Sequence, residues 1–190
     1  MGKVLVAALV LSLTFSAQTR AQSLTFTEAI DTTYTTTTYT EEELCEMSSV
    51  NVPNHLEGCV SSKKTYMYCS AVTDETSDQY KFLYSGYCYT DPNGLIKYNN
   101  RYCIAIGTGY TKNIGDRVTL VLADGSVVRC VVGALKAPVH TDSSNRFDVA
   151  DGSVAEFIVD KKVFNSVKDG SGTVNFIDGM EGEIIKVVTL

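Results

Sequence analysis

The chain has 190 residues, 22 acidic against 16 basic side chains and a formal net charge of −6. The acid is uneven: residues 22–100 carry 11 acids and 4 bases, whereas residues 101–190 carry 11 acids and 10 bases. Neither half offers a basic face, so counterion release has nothing to drive it, and nucleic acid is excluded as an expected partner.

The first residues read as an export signal. Lys3 supplies a positive start, Val4 to Phe15 is an apolar run broken only by Ser12 and Thr14, and Thr19-Arg20-Ala21 places small residues at the two positions a signal peptidase inspects. The run is shorter than the roughly 20 apolar residues of a membrane span. We expect residues 1–21 to be a cleaved signal peptide and the mature chain to be secreted, extracellular or wall-associated, with no membrane span. The leader holds Lys3 and Arg20 and no acid, so the mature chain is more acidic than the whole.

Residues 22–49 are low in complexity. Asp31 to Thr40 holds seven threonines and two tyrosines, followed by Glu41, Glu42 and Glu43. Such a stretch buries little apolar surface and reads as a linker or stalk. The same Thr/Tyr alternation also suits an edge strand. Residues 50–100 are rich in Cys and Tyr and read as an extension packed on the domain that follows. In that extension Thr73 is expected to cap a helix leading into Tyr80 to Tyr84. Asp91-Pro92-Asn93-Gly94 is a turn.

Residues 101–190 alternate β-branched runs with turns. Strands are expected at Tyr102 to Ile106, Arg117 to Leu122, Val127 to Val132, Val154 to Val159, Thr173 to Ile177 and Ile184 to Val188. Ala123-Asp124-Gly125-Ser126 forms a hairpin turn between the second and third. Six short strands with little room for helices predict a mostly β protein, a small closed β-barrel with the extension at its N-terminal side.

Six cysteines, at 45, 59, 69, 88, 103 and 130, follow the leader. An even count in an exported chain reads as disulfides. Cys103 and Cys130 sit one residue inside neighbouring strands and are expected to pair, stabilising by about 2–4 kcal/mol. The other four would staple the Tyr-rich extension to the barrel in a connectivity left open. With no Cys-x-x-Cys and only His55 and His140, no metal site is expected, and no cofactor. No Gly-x-Ser-x-Gly elbow, phosphate loop or His-Glu-x-x-His occurs.

Arg101-Tyr102-Cys103-Ile104-Ala105-Ile106-Gly107, Ile114-Gly115-Asp116-Arg117-Val118, Asp124-Gly125, Val131-Val132-Gly133 and Asn145-Arg146-Phe147-Asp148 occur in that order. This succession resembles the three-aspartate domain, a six-stranded double-psi β-barrel of membrane-bound lytic transglycosylases and bacterial stationary-phase wall proteins. Ala71 to Asp74, Thr90 to Leu95, Gly133 to Ala137, His140 to Asp142 and Glu156 to Asp160 further resemble motifs of secreted or phage-encoded Firmicutes proteins. The resemblance implies action on peptidoglycan or a related glycan. It also marks two departures: the pattern has aspartate where this chain has Gly107 and Ala134, and the resemblance puts the catalytic acid at the position of Ala134.

Lytic cleavage needs a carboxyl that first protonates the glycosidic oxygen and then accepts a proton from the sugar's own hydroxyl. With Ala134 in the acid's place, Asp142 and Asp148 are the candidate substitutes. Lys136, His140, Thr141 and Arg146 are the candidate substrate-binding residues, Lys136 for a lactyl carboxylate. Each has a plainer reading: Asp142 as a turn cap, Arg146 and Asp148 as a structural ion pair, His140 as a solvated loop residue and Lys136 as a surface lysine. The expectation is a lytic-transglycosylase-like protein that is weak or inactive. The alternatives are a glycan- or wall-binding module without catalysis and a host-interaction protein.

Overall fold

A computed structural model describes residues 24–30, 33–39, 49–53 and 63–189. The expected leader at residues 1–21, Cys45 and Cys59 lie outside the described residues. The chain divides into two compact units, residues 1–44 and 45–190. The first holds β1 (Leu24–Ile30) and β2 (Thr33–Tyr39), antiparallel from Leu24↔Tyr39 to Ile30↔Thr33. The Thr/Tyr alternation of the stretch expected to be a linker thus runs as strand, as β-branched and aromatic residues favour.

The second unit is mostly β. Its elements are β3 (Ser49–Asn51), β4 (Lys64–Tyr68), α1 (Asp78–Leu83), β5 (Tyr89–Thr90), β6 (Ile96–Tyr98), β7 (Arg101–Gly107), β8 (Arg117–Leu122), β9 (Val127–Lys136), β10 (Ala155–Val159), α2 (Lys161–Val167) and β11 (Ile184–Thr189). The strands form one mixed sheet in the order β3-β11-β8-β9-β7-β10-β4, with β6 paired to β7 and β5 to β6. The pairs β7/β9 and β10/β4 are parallel. Among the described residues no pairing joins β3 to β4, so the sheet is open where a closed barrel was expected. The Cys/Tyr-rich extension contributes strands of its own to this sheet.

Two apolar clusters lie against the sheet. The larger takes Ile104 and Ile106 from β7, Leu120 from β8, Cys130 and Val132 from β9, Phe157 from β10 and Phe164 from α2. The smaller joins Cys103, Ala105, Val131, Ala134 and Ile158 to Leu83 of α1 and to Val72. Alternation along a strand sends neighbours to opposite faces. β9 breaks that alternation: its register with β7 runs Ile104↔Val132 and then Ala105↔Ala134, leaving Gly133 unpaired as a bulge. A Cβ at Gly133 would lie 2.8 Å from Ile158 Cδ1 and 3.2 Å from Cys103 Cβ, so glycine fits the spot. The bulge turns Ala134 and Lys136 to the face of the smaller cluster, away from Val132.

The same register overturns the expected Cys103–Cys130 disulfide. Cys103 is level with Val131 and Cys130 with Tyr102, an offset of one residue between parallel neighbours. The two thiols therefore belong to opposite clusters, and both are free.

Three local expectations also change. The helix cap is Ser77, whose Oγ accepts from Tyr80 N at 3.2 Å; Thr73 is not the cap, because Asp74 turns the chain by accepting from Thr76 first. Thr173 to Ile177 is not a strand. Asp169, Ser171 and Thr173 side chains bond to nearby backbone N–H groups, and Ile177 N reaches Val174 O at 3.1 Å, so the segment turns. A helix that the sequence did not suggest, α2, follows β10 because Asp160 accepts from Lys162 N at 2.9 Å and Val163 N at 2.8 Å. The turns at Asp91–Gly94 and Asp124–Gly125 are where they were expected, with Gly94 N on Asp91 O at 2.9 Å and Gly125 N on Leu122 O at 2.9 Å.

Candidate functional site

A cleft of about 200 Å³ opens where β7, β9 and β10 meet the turn before α1. Its apolar wall is Met67, Val72, Ala105 and Ala134; its polar side is Gln79, Lys136, His140, Asp148 and Glu156. Register builds the floor. Glu156 is level with Ala105, which is level with Ala134, so the three stand in one row across β10, β7 and β9.

Lys136 is the centre of the polar side. Its side chain is 3% exposed. Its Nζ meets Glu156 Oε1 at 2.9 Å, Ser153 Oγ at 2.7 Å, Ser153 O at 3.1 Å and Asp148 Oδ2 at 3.9 Å. An ammonium has three N–H donors, and these partners occupy them. The surface lysine free to take a ligand carboxylate is therefore replaced by a buried lysine held by the protein's own carboxylates. A buried cation is tolerated only when paired in this way.

Asp148 accepts from Ala150 N at 2.8 Å and bridges to Thr141. Its expected partner Arg146 points elsewhere. The Arg146 guanidinium lies 5.9 Å from the Tyr110 ring centroid, and its Nε reaches Gly109 O at 3.5 Å. Thr141 is buried, with Oγ1 at 2.9 Å from Asn145 Oδ1 and 3.2 Å from Pro138 O, and so serves the loop fold instead of meeting a substrate. His140 is exposed at the mouth of the cleft, where its carbonyl accepts from Val149 N at 3.0 Å.

Asp142 is the clasp of the loop 141–148. Oδ1 accepts from Arg146 N at 2.7 Å and Phe147 N at 2.8 Å, and Oδ2 from Ser144 N at 2.9 Å and from the Ser144 hydroxyl. Desolvation pushes this carboxyl upward, but the Ser144 hydroxyl and the three backbone N–H groups outweigh it and hold the carboxyl at about 2. A carboxyl held there is a poor general acid, so the capping reading of Asp142 holds and the catalytic one does not.

Of the residues singled out from sequence, Ala134, Lys136, His140 and Asp148 come together at the cleft, whereas Asp142, Thr141 and Arg146 form the loop beside it. Glu156, Gln79 and Met67 were missed. Glu156 had a visible signal: it is the lone charge in the apolar strand Val154 to Val159. Gln79 had none, because its place depends on how α1 packs on β9, where its Oε1 faces Leu135 N at 3.5 Å.

Among the described residues no group of His, Cys, Asp and Glu has the geometry to hold a metal ion. The chain matches no family model, no curated protein and no solved structure.

Proposed function

We propose that this chain is an exported, non-catalytic module that binds wall glycan of the peptidoglycan class, built on a double-psi β-barrel of the three-aspartate type. The parallel β7/β9 pair and the order of motifs along the chain support that reading, while the β3 and β4 edges leave the sheet unclosed among the described residues. The observation that carries the functional reading is the neighbourhood of Ala134. The position of the acid is a methyl group, and Lys136 engages both cleft carboxylates, Asp148 and Glu156. Lytic chemistry needs a proton donor at that point, and here Glu156 accepts from Lys136 at 2.9 Å with Asp148 ion-paired to the same ammonium at 3.9 Å.

What remains is a binding surface. Small-molecule pockets commonly run from about 300 to 1,000 Å³, so a sugar ring does not sink into this one. A glycan lying across the mouth can insert one acetamido arm, its methyl against Ala105, Ala134 and Val72 and its amide toward Gln79. The export signal read in residues 1–21 supports the secreted location.

The test is a sacculus pull-down with the full mature chain, followed by analysis of the soluble products. The expected result is binding without anhydro-muropeptides, together with cleavage at least about 10²-fold greater in Ala134→Asp. Efficient cleavage by the native chain would restore the enzyme reading. Failure to bind sacculi would remove the glycan reading.

A further inference from the structure

On the reading that the chain binds wall glycan, we infer that the cleft is one of two adjoining subsites, and that the second takes an N-acetylmuramic acid ring whose lactyl carboxylate is free. The second subsite is a cavity of about 510 Å³. Gln79 and Leu135 line both the cavity and the cleft, so the two share a wall. Unlike the cleft, this volume falls within the usual range of small-molecule pockets. A glycan that lays one acetamido arm beside Ala134 therefore carries its next ring past Gln79 into the larger cavity.

The walls of this cavity are held by the fold. One wall is α1, capped by Ser77, with Gln79 Oε1 facing Leu135 N of β9 at 3.5 Å. The other is the segment 111–116. Asp116 accepts from the Thr111 hydroxyl and from Asn113 Nδ2 at 3.1 Å. Gly115 N donates to Val132 O at 2.8 Å, and Val132 N to Asp116 O at 2.9 Å, which ties the segment to β9. The apolar lining is Phe82 and Ile114, both half-buried, and Phe82 is braced by Tyr98 with ring centroids 5.0 Å apart. An aromatic ring for the C–H face of a sugar, beside a few polar groups for its hydroxyls, is the composition of a ligand site.

Lys112 sets the selectivity. Lys136, the lysine expected to take a lactyl carboxylate, is already held by Glu156, Asp148 and Ser153. Lys112 is the cation on the wall of the second cavity; it is exposed and pairs with no carboxylate among the described residues. Asp78 lines the same cavity with Lys81 at 4.0 Å, and its carboxylate accepts from sugar hydroxyl groups. In peptidoglycan the lactyl carboxyl is bonded as an amide to the stem peptide, and it is a carboxylate only where that peptide has been removed. An amide brings no charge to the ammonium, so the pairing favours peptide-free strands.

The test is an NMR titration of the full mature chain with three probes: N-acetylglucosamine, its disaccharide with N-acetylmuramic acid, and the same disaccharide with the lactyl carboxyl amidated. The single sugar should move the Ala105 and Ala134 amides. The free-acid disaccharide should also move Asn113 and Ile114 and bind at least about 10-fold tighter. Amidation should weaken binding about 3-fold in the wild-type chain, the worth of one exposed ion pair, and leave Lys112→Gln unchanged. A disaccharide that moves only the cleft amides, or binds no tighter than the single sugar, would overturn the second subsite and leave the cleft reading in place. Equal binding of acid and amide by the wild-type chain would overturn the pairing with Lys112. No response to any probe, with sacculi still bound, would overturn both subsites as placed; no response and no binding to sacculi would overturn the glycan reading itself. The wild-type titrations decide this whether or not the variant folds.

Discussion

Lys136 Nζ stands 2.9 Å from Glu156 Oε1 at the floor of the cleft, with the lysine side chain 3% and the glutamate side chain 22% exposed. The pair is asymmetric. Removing the cation leaves Glu156, Asp148 and the Ser153 carbonyl facing one another, whereas neutralising Glu156 leaves the cation with Asp148 and Ser153. Lys136→Ala should therefore cost about 3 kcal/mol, in the range of a broken buried pair. Glu156→Gln, which keeps an acceptor, should cost about 1 kcal/mol. Urea unfolding of both variants gives the comparison; equal losses would show that Lys136 is not the hub of this group.

Gly107 ends β7 directly under the loop 141–148. A Cβ there would lie 2.0 Å from Asn145 O and 2.8 Å from Asn145 C, both backbone atoms. The resemblance puts an aspartate at this position, and the loop as it stands cannot accept one. Gly107→Asp should lift the loop and cost about 3 kcal/mol, the upper part of the usual range for overpacking. Faster tryptic cleavage after Arg146, with the rest of the chain still resistant, is the expected signature. Unchanged cleavage and an unchanged urea midpoint would mean that the loop moves aside at little cost.

Five of the six strands expected in the second half are present, because β-branched runs between Gly turns carry their own signal. Thr173 to Ile177 fails for the opposite reason: its β-branched residues sit among Asp169, Ser171 and Thr173, whose side chains capture the backbone. The cleft was legible only in part. Ala134, Lys136, His140 and Asp148 line one cleft, whereas Asp142, expected beside them, is turned into the loop 141–148 by the backbone N–H groups it accepts from. The burial of Lys136 was not readable, since it depends on the Gly133 bulge and on the partner strand β10 far along the chain. The Cys103–Cys130 pairing failed on the same register, because one residue of offset between parallel strands decides the face.

Asp142 makes the loop sensitive to acid. Its folded pKa, about 2, lies below the ordinary 3.8. A depressed carboxylate contributes stability that is present above the unfolded value and is lost as pH falls through the folded one. For this partly exposed group the contribution is about 1–2 kcal/mol after solvent screening. Asp142→Asn presents an amide to four donors and should lose that amount at pH 7. The difference between wild type and variant should shrink between pH 4 and 2. A constant difference over that window would mean that the carboxylate charge does not hold the loop.

Lys64 gives the opposite limb of the pH profile. It starts β4 with no exposed surface, and its Nζ donates to the Gly182 carbonyl. Desolvation lowers its pKa from 10.5 to about 8, against the pull of Glu181, Asp124 and Glu183. Between about 8 and 10.5 the unfolded chain binds more proton at this site than the folded one, so stability rises with pH across that window. The slope from one such group is about 1.4 kcal/mol per pH unit, and the full shift corresponds to about 3 kcal/mol. Tyr84 works against it at higher pH, because burial and its Cys69 neighbour raise its phenol to about 12. The buried thiols of Cys69, Cys103 and Cys130 also hold their protons in the folded chain while the unfolded thiols ionise at about 8.5, which lowers stability with pH in wild type and variant alike. The contribution of Lys64 is therefore read as a difference: urea unfolding from about pH 7.5 to 9.5 should show the wild-type chain gaining stability relative to Lys64→Met as pH rises. Parallel profiles for the two proteins would mean that Lys64 keeps its proton in the folded state and that its acidic neighbours, not burial, decide its charge.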